Sequence, residues 1–186
     1  MSNQRIPNLD REQATGKTRE ILDGIHASLG RIPNLVSVMA NSPATLQGYV
    51  ALEEARRSSR LLSPAFQEQL ALAVAEANTC TYCLAAHTAL GKRHQLSDEE
   101  MLRNRGGISH DARTKVALRF AQHVVRTQAQ ISNDDLAALR KAGYSDGEII
   151  EIVFNVVANI LTNYVNHVAG TLVDFPQVPS LAAQAA

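Results

Sequence analysis

The placement of serine residues ahead of apolar runs constrains the fold of this 186-residue chain more than any other feature. Ser97, Ser132 and Ser145 each stand three residues before an acidic side chain. A serine hydroxyl there accepts a hydrogen bond from the amide three residues on, and the carboxylate can reciprocate, which starts an α-helix. Two further segments, which begin at residues 42 and 63, open with Ser-Pro, and this pair suits the first turn of a helix.

The remaining pattern is also helical. Val116, Phe120 and Val124 lie on one stripe of the segment 112–129, with a period near 3.6 residues. The segment LRKAGYSDGEIIEIV is typical of a helix that ends at Gly143 and is followed at once by another helix. Alternation of period two between turn residues is hard to find, so the sequence predicts an all-α helical bundle with essentially no sheet.

Two segments of the chain are similar to each other. When they are aligned at Ser63 and Ser145, Tyr82 falls on Tyr164 and several apolar positions coincide, which suggests an internal helical repeat. No low-complexity linker separates the halves, and the C-terminal residues are small and proline-containing. We therefore expect a single domain over residues 1–186, with an N-terminal extension at 1–34, a core at about 35–176 and a loose tail at 179–186.

Composition excludes several classes of partner. The chain has 18 basic and 18 acidic residues, so it lacks the basic excess that nucleic acids or anionic membranes usually require. The first residues contain no apolar signal region, and the apolar run at 152–161 is interrupted by Asn155 and Asn159 and is short for a membrane span. We expect a soluble, cytoplasmic protein with no nucleic-acid or membrane partner.

Both cysteines lie in the segment NTCTYCLAAH, at residues 78–87. In a reducing cytosol such a pair is more often catalytic or metal-binding than a structural crosslink. A closed zinc site needs four ligands, so His87, His94 or His110 would have to complete it, and their spacing does not match a zinc finger. An inert pair buried as small hydrophobic side chains is the other alternative. No metal and no cofactor is expected.

A redox function has positive support from the residues. Asn78 and Thr79 are good helix caps, so a helix can begin near Cys80, and thiols in its first turn feel the positive end of the helix dipole. Cys83 and His87 are four residues apart, hence on one face, and an imidazole there can take the thiol proton or stabilise the thiolate. One thiolate could then attack an oxidant and be resolved by the neighbouring cysteine as a disulfide.

Two effects predict opposite orders for the pKa values of the two cysteines. The helix dipole favours Cys80, whereas His87 favours Cys83. A charged imidazole at contact distance should outweigh a partial charge, so we expect Cys83 to be the more acidic thiol. A thioredoxin fold would need a β-strand before the pair, but the stretch QEQLALAVAEAN is helical in pattern, which argues against that fold.

The segment FQEQLALAVAEANTCTYCLAAH resembles the core motif of the alkylhydroperoxidase D-like group within the carboxymuconolactone decarboxylase superfamily. In that motif a glutamate stands twelve residues before the first cysteine and a histidine four after the second, as Glu68 and His87 do here. The segments ISNDDLAALRKAGYSDGEIIEIV and NYVNHVAGTLVDFP resemble the second half of the peroxidase-related members. The resemblance covers about residues 35–176.

This resemblance implies an all-helical, cofactor-free peroxidase that assembles into trimers or hexamers and reduces hydroperoxides with its thiols. It implies that Cys83 attacks the peroxide and Cys80 resolves it, with His87 and Glu68 in a proton relay that activates Cys83. A dithiol reductant protein, lipoyl- or thioredoxin-like, would recycle the disulfide.

Three more residues are auxiliary candidates. Tyr82 stands where the best-known members carry a histidine before the second cysteine, and a phenol is a poor proton carrier near pH 7, so the relay is expected to be shorter or to use water. Glu76 shares a helix face with Glu68, although a solvated stripe is the alternative. His167 follows Asn163 by four residues and could line a pocket beside the cysteines, or belong to a buried polar network.

Two other functions remain open at this stage. The superfamily also contains cofactor-free decarboxylases of lactones, whose chemistry does not require two cysteines. The other alternative is a helical oligomer that senses redox state and is not an enzyme. Replacing Cys83 with serine separates these alternatives, because only thiol chemistry should be lost.

Overall fold

The computed structural model describes residues 4–181, and within that range it contains α-helices, one 3-10 turn and no β-strand. The 3-10 turn spans Arg11–Gln13. The helices are α1 (Gly16–Leu29), α2 (Asn34–Met39), α3 (Pro43–Ser58), α4 (Pro64–Ala77), α5 (Thr81–Arg93), α6 (Asp98–Arg105), α7 (Ala112–Thr127), α8 (Asn133–Lys141) and α9 (Asp146–Ala169). The predicted all-α fold is confirmed.

Serine side chains start five of these helices, as the sequence predicted. Each hydroxyl accepts a hydrogen bond from the amide three residues later, an interaction that stabilises a helix by about 1 kcal/mol. The carboxylates of Asp135 and Glu148 bond back to the cap amide, which completes capping boxes on α8 and α9. The capping residues are Ser42, Ser63, Ser97, Ser132 and Ser145.

Helix α4 forms the centre of the molecule and packs against α5, α6, α7 and α9. Every residue from 67 to 75 is buried, so the helix has no solvent face along most of its length. Leu72 packs in the core built from α1–α3 and α5, whereas Leu70 packs in the core of α7–α9. Truncating either leucine to alanine would cost about 2–5 kcal/mol. This rigid helix carries Glu68 at its second turn and delivers the chain to the cysteines at its end.

Helix α9 runs for 24 residues, and by length and composition alone it could cross a membrane, a test that core helices also pass. The apolar run at 152–161, which was predicted to be short and interrupted, is thus part of one long helix. Asn155 and Asn159 do not interrupt it, because each buried amide donates to the carbonyl four residues earlier in the same helix. The helix packs along α4 and α7 and ends at Gly170, whose positive φ of 62° favours glycine.

The internal repeat does not extend beyond its first helix. Ser63 and Ser145 do cap α4 and α9 in the same way. However, α4 ends at Ala77 and the chain turns before α5, whereas the aligned stretch of α9 continues without a break. Tyr82 is accordingly buried and Tyr164 is 57% exposed, so their alignment reflects short apolar similarity and no common environment.

The two ends of the described chain pack against the core. Leu22 of the N-terminal extension is fully buried, and the amide of Ile6 donates to the carbonyl of Ala169 at the end of α9. At the other end, the expected loose tail is held through residue 181, since the amide of Leu181 donates to Glu76 at 2.8 Å. Residues 182–186 of that tail lie outside the described range.

Candidate active site

A tight turn between α4 and α5 positions the cysteine pair. The amide of Thr79 donates to the carbonyl of Glu76, and the amide of Cys80 donates to the carbonyl of Ala75. These bonds form the motif that commonly ends a helix with a left-handed residue, usually glycine. Thr79 occupies that position here with φ of 54°, a conformation that disfavours threonine. The turn places Cys80 directly at the start of α5.

Cys80 itself caps helix α5. Its Sγ accepts a hydrogen bond from the amide of Cys83 at 3.3 Å, the role that a serine oxygen plays elsewhere in the chain. The helix therefore begins where the sequence predicted, although Asn78 and Thr79 end α4 and do not cap α5. Both cysteines are free thiols and are buried, with 1% and 2% exposure.

Glu68 and His87 meet as the motif spacing predicted. His87 lies one turn after Cys83 on α5, and its Nδ1 is 2.7 Å from Oε2 of Glu68 on α4. The carboxylate is only 4% exposed, and the imidazole is 14% exposed. A carboxylate bound to Nδ1 fixes the orientation of the ring and leaves Nε2 free to act on a neighbouring group.

Arg56 of α3 supports this pair, and its only signal in the sequence is a charge run. The guanidinium of Arg56 is buried, lies 4.0 Å from Oε1 of Glu68 and binds Glu53 through two hydrogen bonds. Its third arm donates to Gln67 at 2.9 Å. A guanidinium fixed by several partners in this way holds the Glu68 carboxylate ionised and in place.

Helix α9 supplies a second group that sequence reasoning missed. The side-chain amide of Asn166 donates to Sγ of Cys83 at 3.3 Å. One turn earlier, Asn163 accepts a hydrogen bond from Asn78 at 2.9 Å, which ties α9 to the turn that carries the cysteines. An amide donor aimed at sulfur stabilises the thiolate more than the thiol. The Asn-x-x-Asn spacing in NYVNH is the only local signal for this contact.

The environment separates the acidities of the two thiols. Burial opposes ionisation of Cys83, but the hydrogen bond from Cys80, the charge of His87 and the amide of Asn166 together lower its pKa to about 7. The hydrogen bond that Cys80 gives to Cys83 and then burial raise the pKa of Cys80. The structure thus assigns the lower pKa to Cys83, against the order that the helix dipole alone would favour.

The histidine and the glutamate stabilise each other in their charged forms. Burial raises the pKa of Glu68, but the charge of His87 and the hydrogen bond to it lower that pKa overall. Burial lowers the pKa of His87, and the Glu68 carboxylate more than reverses this, so the pKa is raised. At neutral pH the site can therefore hold a thiolate, an imidazolium and a carboxylate in sequence, which is a nucleophile beside a proton donor.

Solved structures share this fold over nearly the whole chain. A peroxidase-related protein with an alkylhydroperoxidase AhpD core from Ralstonia eutropha JMP134 superposes with a TM-score of 0.84 at 20% identity, over 92% of both chains. A peroxidase-related protein from Silicibacter sp. TM1040 gives 0.77 at 27% identity, over 92% of this chain and 94% of that one. Residues 43–123, which include α4, both cysteines and His87, match the carboxymuconolactone decarboxylase family. The chain therefore has an AhpD-like all-α fold, and its central part is similar to the carboxymuconolactone decarboxylase family.

The AhpD-like fold also occurs in a protein of different described activity. The debrominase Bmp8, as a cysteine-to-alanine variant in complex with 2,3,4-tribromopyrrole, superposes with a TM-score of 0.79 at 18% identity, over 98% of this chain and 95% of that one. A comparison with curated protein sequences found no significant match.

Two auxiliary candidates lie apart from the Glu68–His87 pair in this AhpD-like chain. The hydroxyl of Tyr82 accepts from the amide of Leu35 at 3.2 Å, and its ring packs edge-on against Phe175. Glu76 pairs with Arg105 at 2.8 Å, and its side chain is 11% exposed, so it is not a solvated carboxylate. Both side chains thus contact residues other than Glu68 and His87.

The third auxiliary candidate, His167, lies beside Cys80. Its Nε2 is 2.8 Å from the carbonyl of Asn78, so this nitrogen carries the proton and donates. The exposed ring lines an open cleft of about 630 Å³, together with Cys80, Tyr82 and Asn166. Within residues 4–181, no group of three or more His, Cys, Asp or Glu side chains is arranged to hold a metal ion.

Proposed function

We propose that this protein reduces hydroperoxides with its cysteine pair, as a thiol-dependent peroxidase. The observation that carries the proposal is the His87–Glu68 pair, 2.7 Å apart, which lies one helical turn after Cys83 and whose charge helps to lower the pKa of that thiol. A thiolate is the form that attacks peroxides, and its fraction at neutral pH depends on this pKa.

In the first step the Cys83 thiolate attacks the terminal oxygen of the peroxide. The S–O bond forms as the O–O bond breaks, and Cys83 becomes a sulfenic acid while the peroxide is reduced to an alcohol or to water. His87 gives its proton to the departing alkoxide, so that no free oxyanion is released. Asn166 holds the sulfur in place by donating to it, and Glu68 keeps the imidazole charged before the transfer.

In the second step Cys80 attacks the sulfenic sulfur of Cys83. The S–S bond forms, the hydroxide leaves as water with the proton of Cys80, and His87 is available to mediate that transfer. The cap geometry favours this step, since Cys80 Sγ already lies next to the first turn of α5 that carries Cys83. A dithiol reductant then returns the pair to the reduced state. We place this cycle in the cytoplasm, where thiols are kept reduced.

We also propose that the protein is a homo-oligomer. Helix α9 leaves a stripe of apolar side chains exposed at helical spacing, whereas the other exposed apolar side chains of the described residues are spread over several elements. The exposed stripe consists of Ile150, Val157, Leu161, Tyr164 and Val168. A second copy of the chain, which offers the same stripe, is the partner with matching chemistry.

The test is a stopped-flow thiol titration of the reduced protein with cumene hydroperoxide and hydrogen peroxide. We expect rapid loss of two thiols in the wild type, no rapid loss in Cys83→Ser, and a trapped sulfenic acid in Cys80→Ser. His87→Gln should slow the reaction, whereas His123→Gln, a matched change of a half-buried histidine on α7, should not. Reaction no faster than that of free cysteine would refute the proposal.

A second candidate function is reductive dehalogenation, which the bromopyrrole complex of the structurally similar debrominase favours. The electron balance is the same: two thiols become a disulfide, a carbon–bromine bond becomes carbon–hydrogen, and bromide is released. Incubating the reduced protein with 2,3,4-tribromopyrrole and measuring the bromide released per disulfide formed tests this function directly.

Two other outcomes would indicate different functions. Activity toward lactones that survives in Cys83→Ser would indicate a decarboxylase-like lyase. A reactive thiol without turnover would indicate a redox sensor.

A further inference from the structure

One side of α3 faces the cysteine site. Leu46, Tyr49, Glu53 and Arg56 follow one another at intervals of three or four residues, so they lie on the same side of that helix. Both ends of this row are buried, since Leu46 is 0% and Arg56 is 7% exposed. Leu46 packs in the core that contains the two cysteines, and Arg56 lies 4.0 Å from Glu68. Tyr49 is therefore placed between that core and the carboxylate that binds the imidazole.

The phenol of Tyr49 lies within electrostatic reach of the Cys83 sulfur. Its ring is half-buried and packs against the cluster of buried residues to which Cys83 belongs. Burial first, then the charge of Glu53 and further that of Cys83, raise the pKa of Tyr49. The phenol therefore keeps its proton near neutral pH, where Cys83 ionises, and it is a hydrogen-bond donor in the presence of the thiolate.

The hydroxyl of Tyr49 is not used by the fold. Among residues 4–181, the hydroxyls of Tyr82 and Tyr144 each make a hydrogen bond, whereas that of Tyr49 makes none. The Glu53 carboxylate one turn later is already occupied, because both of its oxygens accept from Arg56. A half-buried phenol whose donor is left without a partner is available to a molecule that enters the site.

The side of the site that α3 borders keeps some contact with solvent. Helix α3 packs against α1, α2 and α9, whereas it is joined to α4 by the long side chain of Arg56, which donates to Gln67. The His87 side chain is 14% exposed. Neither Cys83 nor His87 lines the open cleft beside Cys80, so an oxidant that meets both of them comes from another direction. The half-buried Tyr49 belongs to the side where solvent contact remains.

We propose that the Tyr49 hydroxyl binds the hydroperoxide at Cys83 by donating a hydrogen bond to the oxygen that departs. This role rests on the proposed peroxidase function and adds a substrate-binding residue to it. The S–O bond forms between Cys83 and the terminal oxygen as the O–O bond breaks, and the electron pair of that bond goes to the departing oxygen. His87 gives this oxygen its proton, and Tyr49 keeps its own proton throughout.

Tyr49 and His87 act on the departing oxygen in different ways. The imidazolium neutralises the negative charge by proton transfer, whereas the phenol stabilises that charge while it develops and fixes the direction of the O–O bond. A donor aimed at a developing charge contributes about 10- to 100-fold in rate at a half-buried position. Because the phenol is neutral, it leaves the pairing of His87 with Glu68 undisturbed.

The test is Tyr49→Phe, which removes the hydroxyl and retains the ring that packs against the core. We expect loss of thiols with cumene hydroperoxide, followed by stopped flow, to be about 10- to 100-fold slower than in the wild type. Alkylation by iodoacetamide, in which no oxygen departs, should keep the wild-type rate and the wild-type apparent pKa. Tyr144→Phe, the same change at a phenol that donates to the Arg113 carbonyl in the other core, should match the wild type in both assays.

The leaving group of the oxidant provides a second readout. Peracetic acid releases acetate, a much weaker base than the alkoxide released by cumene hydroperoxide, so its departing oxygen needs less stabilisation. The rate lost in Tyr49→Phe should therefore be smaller with peracetic acid than with cumene hydroperoxide. An equal loss with both oxidants would overturn the proposed role, because it would indicate a displaced thiol.

The remaining outcomes separate this role from the function on which it rests. A fast wild type with an equally fast Tyr49→Phe would refute the role of Tyr49 and leave the peroxidase function standing. Slower alkylation or a raised apparent pKa in Tyr49→Phe would also refute it, since the phenol would then serve the thiolate or the fold. A wild type no faster than free cysteine would refute the peroxidase function and the role of Tyr49 together.

Discussion

Replacing Asn166 with alanine removes a hydrogen bond that helix α9 gives to the Cys83 thiol. The donor–acceptor distance is 3.3 Å and both groups are buried, so little water is available to replace the amide. A hydrogen bond to a charged group contributes about 1.5–3 kcal/mol, and one pKa unit corresponds to about 1.4 kcal/mol. The change should therefore raise the pKa of Cys83 from about 7 by about one to two units.

This shift has a direct kinetic consequence. At pH 7 the thiolate fraction should fall from about one half to about one tenth or less, which slows alkylation and peroxide attack by about 5- to 50-fold. The assay is the rate of reaction with limiting iodoacetamide as a function of pH, from which an apparent pKa is fitted. Because the pKa of Cys80 is raised, the reactive thiol near neutrality is Cys83.

The matched control is Asn159→Ala on the same helix. Asn159 is equally buried, but its amide donates to the carbonyl of Asn155 within α9 and does not touch sulfur. The Asn159→Ala variant should leave the apparent pKa of Cys83 unchanged, even if the variant is less stable. A folded Asn166→Ala protein with the wild-type pKa, or an equal shift in Asn159→Ala, would refute the assigned role of the amide.

Three further predictions follow from the same contacts. Glu68→Gln should reduce the free energy of unfolding most between pH 4.5 and 6.5. In that range the Glu68 carboxylate is above the pKa it has in the unfolded chain and the His87 imidazole is below the pKa it has there, so the ion pair contributes fully. Urea unfolding across pH checks this, and an equal loss at all pH values would contradict it. Tyr82→Phe should cost about 1 kcal/mol of unfolding free energy through its lost hydrogen bond, with no change in the alkylation rate of the thiols, whereas a slower rate would return Tyr82 to the relay. Val157→Asp should shift the molecular mass measured by light scattering toward the monomer, while Leu102→Asp, at an exposed leucine on α6, should not; identical masses would refute the α9 interface.

The helices and the central spacing of the site could be predicted because they depend on local interactions. A serine and the amide three residues later meet in any helix that begins there, so each cap was visible in the sequence. Cys83 and His87 lie on one side of α5 because residues four apart share a helix face. The contact of Glu68 with His87 crosses two helices, and it could be expected only from the resemblance to a family motif.

The remaining contacts of the site come from residues distant in sequence. Asn166 lies 83 residues from Cys83, and no local pattern shows that its amide points at sulfur. Arg56 belongs to a charge run that was expected to be solvated, yet packing of α3 against the site buries it beside Glu68. Glu76 has the spacing of a second site carboxylate, but α6 brings Arg105 to it and makes the pair structural.

The sequence by itself determined that the chain is helical, where its helices begin, and that two thiols and an imidazole lie within two turns of one helix. Those features follow from hydrogen bonds and spacing within a few residues. His87, four residues on, already predicts that Cys83 is the more acidic thiol, but only the tertiary structure showed which other groups lower its pKa and that Cys80 borders the cleft. The acidity also depends on burial and on charges and donors brought from α3, α4 and α9, and access depends on where α9 ends, so neighbours along the chain do not fix either by themselves.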